Sequence, residues 1–316
     1  MHSTKLNVLY IASIGRSGTT LLDCILGAHS EMASIGEIHL WPHELREGGV
    51  LPCGSGDFVH EDPFWSEMRD RVEPLSQPTP RIDYFREEHD AGRTLRPRYL
   101  SQFHATTLSD NTRSQIRQYA ENNKSVYRAF LDLVESKEGT QRSWVVDSSK
   151  DPYRLLWLAR SDMFNLSVIH LVRKPKGFIH SVTKPHIYTD ENPVLRRLFW
   201  TIRQSGAWSI RNHLISKIAE NHLPSDNYLL MRYEELASNP ERETKSACDL
   251  VDQSYEQNAI DEFREGSPYA LAGNPMRQRE DDDIRLDETW KQNLPKSSGL
   301  ITDLITTTNK NSFGYE

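Results

Sequence analysis

Cysteine is scarce: Cys24, Cys53 and Cys248 are the only three in 316 residues, odd in number and widely spaced. That pattern excludes a disulfide framework and a cysteine-based zinc site, and it fits a reducing compartment. No apolar run is long enough to span a bilayer. The opening Met1-His2-Ser3-Thr4-Lys5 leads straight into a short apolar segment, without the long hydrophobic stretch and small-residue cleavage site of a secretory signal. A cytosolic protein with no membrane partner is expected. Positive charge is also in deficit. With 38 Lys and Arg against 45 Asp and Glu, the formal charge is −7, which disfavours nonspecific nucleic-acid binding. An anionic ligand must therefore meet a local cationic pocket. Internal repeats and low-complexity tracts are missing too.

What is present suits a globular enzyme: 37% hydrophobic and 26% charged residues, in a length that one α/β domain with insertions reaches. A single domain over residues 1–316 is expected. Short β-rich runs occur at Leu6-Asn7-Val8-Leu9-Tyr10-Ile11, Trp144-Val145-Val146, Leu166-Ser167-Val168-Ile169-His170-Leu171-Val172 and Tyr228-Leu229-Leu230-Met231, each followed by a helical pattern. Strands alternating with helices predict a parallel sheet covered on both faces. Residues 38–142 break the alternation with Pro, Gly, His and charge. They read as a largely helical insertion over the carboxyl edge of the sheet, with a helix near 112–136, where open α/β sheets bind ligands. A second long helix is predicted over 193–220, with Leu195, Leu198, Phe199, Ile202 and Trp208 as its core face.

The strongest local signal is Ser13-Ile14-Gly15-Arg16-Ser17-Gly18-Thr19-Thr20, between a strand and the apolar stretch Leu21-Leu22-Asp23-Cys24-Ile25-Leu26. Backbone N–H groups of such a loop and of the helix start cradle an anion. Gly15 and Gly18 permit the turn, Ser17, Thr19 and Thr20 add hydroxyls, and Arg16 adds charge. Aligned on Gly18, the nucleotide pattern G-x-x-x-x-G-K-[ST] would need Gly at 13 and Lys at 19, where Ser13 and Thr19 stand. A kinase uses that lysine on the β and γ phosphates. The loop instead suits a donor with one fewer phosphate-like unit.

Arg16-Ser17-Gly18-Thr19-Thr20 resembles the 5'-phosphosulfate loop of the sulfotransferase family, [KR]-S-G-[TS]-[TS] after the first strand. A second element agrees: Arg173 ends the strand Val168-Ile169-His170-Leu171-Val172 and Ser181 follows eight residues later, the family's spacing for the 3'-phosphate, although Lys174 replaces the usual Asp. Val145-Val146-Asp147-Ser148-Ser149-Lys150-Asp151-Pro152 is similar to the K-D-P segment of the protein-tyrosine and carbohydrate branches. Leu271-Ala272-Gly273-Asn274-Pro275-Met276-Arg277 with the later Trp290 looks like the G-N-P-M-R loop of bacterial and carbohydrate-type members. Met231-Arg232-Tyr233-Glu234-Glu235-Leu236 is similar to the R-Y-E-x-L segment.

The resemblance implies a P-loop-like three-layer α/β/α fold and a 3'-phosphoadenosine 5'-phosphosulfate (PAPS) donor, with no metal. It places Arg173 and Ser181 at the 3'-phosphate, Tyr233 near the adenine, and Asn274 and Arg277 in a loop that closes over the nucleotide, with Arg277 near the 3'-phosphate and Arg279 or Arg285 as substitutes. Sulfuryl transfer, like phosphoryl transfer, rests on in-line positioning and charge. Arg16 and Lys150 are the candidates to stabilise the leaving oxygen. Glu37, ending Ala33-Ser34-Ile35-Gly36-Glu37, is the candidate base, with His39 and His43 as rivals.

The acceptor reads as a small molecule bearing a hydroxyl or amine, with carbohydrate and peptide tyrosine as alternatives. Acids Glu44, Glu47, Asp57, Glu61 and Asp62 among Trp41, Phe58, Phe64 and Trp65 would suit a cationic or ring-containing compound. The rival functions are a P-loop kinase, in which Asp147 would hold magnesium, and a nucleotide-binding module without chemistry. A thermal-shift comparison separates the first: adenosine 3',5'-bisphosphate (PAP) is expected to raise the melting temperature, whereas stabilisation by ATP plus magnesium alone would identify a kinase.

Overall fold

The computed structural model describes residues 5–42, 44, 51–72, 100–103, 105, 107–183, 193–278 and 284–316. His43, Glu47, Arg279 and the acidic run at 280–283 lie outside them. The order of elements is β1 (Leu6–Ser13), α1 (Thr19–Gly27), β2 (Met32–Gly36), α2 (Pro63–Val72), α3 (Asp110–Glu138), β3 (Trp144–Lys150), α4 (Pro152–Ser161), β4 (Phe164–Val172), α5 (Pro175–Val182), α6 (Pro193–His222), β5 (Tyr228–Arg232), α7 (Tyr233–Ser238), α8 (Pro240–Asp249), α9 (Asn258–Asp261), α10 (Trp290–Asn293) and α11 (Lys296–Lys310).

The strands form one sheet in the order β2-β3-β1-β4-β5, every pair parallel. Alternation along β1 divides its side chains between two cores. Val8, Tyr10 and Ala12 pack with α2, α3, α4 and the C-terminal half of α6. Leu9 and Ile11 pack with α1, α7 and α8 on the opposite face. The layers are therefore α/β/α, with α2 and α3 inserted between β2 and β3. Local chemistry sets the helix ends. Asp151 caps α4 by accepting the Tyr153 N–H at 2.9 Å, with Pro152 in the first turn, and Ser109 caps α3 by accepting from Thr112.

The apolar face predicted for the second long helix holds only in part. Trp208 is fully buried, but Phe199 is 60% exposed and Leu195, Leu198 and Ile202 are exposed with it, because the N-terminal half of α6 buries Thr201 and Ser205 against Ser298 and Thr302 of α11 instead. Among the aromatics read as acceptor contacts, Trp41, Phe64 and Trp65 are core residues, and Asp62 caps α2 through the Phe64 N–H at 2.8 Å. Among the described residues no helix is long and apolar enough to cross a membrane.

Within β4, His170 is fully buried; one ring nitrogen faces the Tyr228 hydroxyl at 2.8 Å and the other the Asn212 side-chain oxygen at 3.0 Å. Burial pushes its pKa down to about 4, against the hydrogen bond to Asn212, which acts the other way. The unfolded chain takes up this proton near pH 6.5, so between the two values it binds more protons than the native state. This contribution to stability is complete above about pH 6.5 and falls by up to about 3 kcal/mol as the pH drops toward 4. Urea unfolding across that range is expected to show the loss, and His170→Gln to flatten it.

Candidate active site

Three neighbouring strands, β2, β3 and β1, end side by side at the carboxyl edge, and the chain leaves each through a left-handed residue: Gly36 (φ 73°), Lys150 (φ 65°) and Arg16 (φ 70°), the last in the loop after β1. Glu37 follows Gly36 and forms an ion pair with the Lys150 ammonium. Its N–H donates to the Leu271 carbonyl at 2.8 Å, and the Leu271 N–H donates to Ile35 at 3.1 Å. Segment 270–272 thus covers the open edge of β2. A side chain at residue 36 would meet the Leu271 backbone at 2.4 Å, so only glycine fits there.

In the loop after β1, Gly18 caps α1 with φ 90°. Ser17 is 0% exposed and its hydroxyl has no hydrogen-bond partner among the described residues, the kind of orphaned buried group that a bound anion satisfies. Thr19 is buried at the helix start, and the Thr20 hydroxyl accepts the Asn274 N–H at 3.1 Å. Arg16 is exposed, and its carbonyl accepts from Arg173 Nη1 at 3.1 Å. The two cationic elements of the sequence are therefore in contact, because β4, which Arg173 directly follows, pairs with β1.

Arg173 is 6% exposed. Its guanidinium stacks on the Tyr233 ring at 4.6 Å and bonds Asp287 through Nη2 at 3.0 Å, and its Nε is buried with no partner among the described residues. Burial would raise the Asp287 carboxyl, but hydrogen bonds from Thr289 and Arg173 hold it at about 2. Gly177, one turn into α5, brings the helix backbone to Arg173 and Trp290. Ser181, buried, lies four residues further along the same helix face. Tyr233 lies against Gly18, and its hydroxyl accepts the Asp287 N–H at 3.4 Å.

The 271–277 loop lies on α1. Arg277, 6% exposed, donates to Asp23 Oδ2 at 2.6 Å and to the Ser267 carbonyl at 3.3 Å, and Asp23 Oδ1 accepts from Ser34 at 2.7 Å. Burial works against the Arg277 charge, but Asp23 more than offsets it and raises its pKa. Asn274 spends its side-chain oxygen on the Met276 N–H at 3.0 Å. Arg285 is exposed, and the His39 N–H donates to Ser149 Oγ at 3.4 Å. Asp147, which the kinase reading would put on magnesium, is buried against Tyr127 and Arg154. Asp23, Asp287 and Arg154 escape a sequence reading. A charged residue inside Leu21-Leu22-Asp23-Cys24-Ile25-Leu26, or in Tyr153-Arg154-Leu155-Leu156-Trp157, is nevertheless a signal, since a charge on an apolar helix face needs a buried partner. Asp287 carries no such mark.

Sheet edge, glycine loop and paired cations define an α/β enzyme of the group-transferring kind. The family profile described as "Sulfotransferase family" matches residues 9–257, and the chain belongs to that family: it is a sulfotransferase whose acceptor the match leaves open. No curated protein sequence matches. Among solved structures, the sulfotransferase domain from the Synechococcus PCC 7002 olefin synthase is 21% identical, with a TM-score of 0.54 over 100% of this chain and 98% of that one. The sulfotransferase domain from the curacin biosynthetic pathway is 20% identical, with a TM-score of 0.56 over 99% of both chains. Sulfotransferase STF9 from Mycobacterium avium is 12% identical, with a TM-score of 0.51 over 99% of this chain and 78% of that one. These likenesses show the fold.

Gly18 offers a direct test of the cradle. A Cβ there would lie 2.3 Å from the Tyr233 ring, on backbone that disfavours any side chain. Gly18→Ala is expected to displace Tyr233 from under Arg173 and to weaken PAP binding at least about tenfold by calorimetry, the scale of one lost charged hydrogen bond.

Proposed function

We propose that the chain moves the sulfuryl group of PAPS to a hydroxyl or amine of a small-molecule acceptor. The observation that carries this reading is the contact of Arg173 with the Arg16 carbonyl, which sets two cationic elements on one sheet edge. The donor groups present fit such a ligand: the orphaned Ser17 hydroxyl lies in one element and the orphaned Arg173 Nε in the other, matching an adenosine with anionic groups at both ends. In this reading the Gly15–Thr20 loop and the start of α1 hold the 5' side. Arg173 and Ser181 hold the 3'-phosphate, for which the planar guanidinium fork suits paired hydrogen bonds. Tyr233 backs Arg173 and borders the adenine. Arg277 and Asn274 act through the loop they anchor, since the Arg277 guanidinium is committed to Asp23.

PAPS supplies a sulfuryl group on a phosphate leaving group. Glu37 takes the proton of the acceptor, and Lys150 and Arg16 stabilise the negative charge that grows on the leaving oxygen. The ion pair of Lys150 with Glu37 supports this division of roles, since it holds the acid at the sheet edge beside a positive charge. Exposed Phe58, between Asp57 and Glu61, is the part of the insertion that supports a ring-containing or cationic acceptor. Three buried free thiols support a reducing, cytosolic setting.

Arg16→Ala and Arg173→Ala are each expected to weaken PAP binding about 10- to 100-fold, the range for a lost charged hydrogen bond. Glu37→Gln is expected to lower turnover by about 10²- to 10⁴-fold and leave PAP affinity within about twofold. Calorimetry, together with an acceptor screen using radiolabelled donor, measures both; unchanged PAP binding in both arginine variants would overturn the placement.

A further inference from the structure

Lys150 is a non-glycine residue at φ 65°, a conformation that costs on the order of 1–3 kcal/mol and persists only where its surroundings enforce it. The enforcement comes from beneath the sheet. Asp147 sits where both neighbouring ladders slip: β3 gains a residue on β1 after the Tyr10 pair, and β2 gains one on β3 between Ser34 and Gly36. Its Oδ1 accepts the Ser149 N–H at 2.9 Å, which closes the bulge directly before Lys150. Its Oδ2 accepts from the Tyr127 hydroxyl at 2.6 Å and from Arg154 Nε and Nη2 at 3.0 and 2.8 Å. Arg154 also donates to the hydroxyls of Tyr119 at 2.6 Å and Tyr127 at 2.7 Å. On the other flank of Lys150, the Tyr10 hydroxyl donates to the Asp151 carbonyl at 2.9 Å. The backbone around Lys150 is thus gripped on both sides by fully buried side chains from β1, β3, α3 and α4.

A carboxylate and guanidinium buried together seldom add net stability over an apolar pair of the same shape. Their use here is geometric. We propose that Asp147, clamped by Arg154 and Tyr127, is a positioning residue for sulfuryl transfer: it shapes the β3 bulge that turns Lys150 toward Glu37. The inference rests on the reading of Lys150 as the cation at the transferred group. It also gives the helical insertion a role beyond covering the acceptor, because Tyr119 and Tyr127 both belong to α3.

The test is a double-mutant cycle on turnover, with PAP affinity measured in parallel. Tyr127→Phe removes one hydroxyl and keeps the carboxylate and Arg154, so it preserves the fold even where Asp147→Asn does not. Tyr127→Phe is expected to lower kcat about tenfold and to change the PAP Kd less than about twofold. In a Lys150→Met background it is expected to lower the residual kcat no further, because the group it positions is gone. An equal loss in both backgrounds, or wild-type turnover in Tyr127→Phe, would overturn the proposal. Wild-type turnover in Lys150→Met alone carries a different signature: it removes the reading of Lys150 and the inference with it.

Discussion

The site depends on a backbone constraint: at three adjacent parallel strands the chain must turn back through left-handed conformations. Gly36 meets it without a side chain, while Arg16 and Lys150 meet it against steric cost. Each turn has its own restraint. The Leu271 backbone holds the end of β2, Asp147 and Tyr10 hold the end of β3, and the Arg173 guanidinium holds the Arg16 carbonyl. Because β2, β3 and β1 are neighbours in the sheet, these turns deliver one acid and two cations to the same edge. A chain that left these strands in ordinary extended or helical backbone would scatter them.

Buried arginine is the recurrent device. Arg154 pairs with Asp147 under the sheet, Arg277 with Asp23 behind the phosphate loop, and Arg173 with Asp287 at the edge. In each case burial opposes charge and a carboxylate offsets it, and a planar fork fixes direction as well as distance. In the proposed reading, this is how a protein with a formal charge of −7 holds an anionic donor: the cations near the site are locked in place by acids, and the cradle adds backbone N–H groups that carry no formal charge. The Asp23–Arg277 pair also links the two halves of the edge, since it pins the loop whose Leu271 backbone holds Glu37.

The alternation of short β-rich runs with helical patterns made the parallel sheet legible, and the observed β1, β3, β4 and β5 contain the predicted runs and extend them by one to four residues at an end. Helices predicted near 112–136 and over 193–220 extend to Asp110–Glu138 and Pro193–His222. The Gly-rich loop and the Arg173–Ser181 spacing were legible for the same reason: their chemistry lies within a few residues of chain. The burial of the aromatics was not. Trp41 and Trp65 joined the core while Phe199 stayed in solvent, because burial depends on which face of a helix meets a neighbour, and in α6 that face carries Thr201 and Ser205.

From Arg16-Ser17-Gly18-Thr19-Thr20, Arg173 and Ser181 alone, the chain could be read as a sulfotransferase of α/β fold, since turn chemistry and strand-to-helix punctuation are local properties of the polypeptide. Only the packed molecule decided that Arg277 serves Asp23, that Asp287 serves Arg173, and that Tyr127 of α3 bonds Asp147 in β3. Those partners lie 254, 114 and 20 residues apart in the chain. Buried charges choose their mates by the geometry of the assembled layers, which no local pattern encodes.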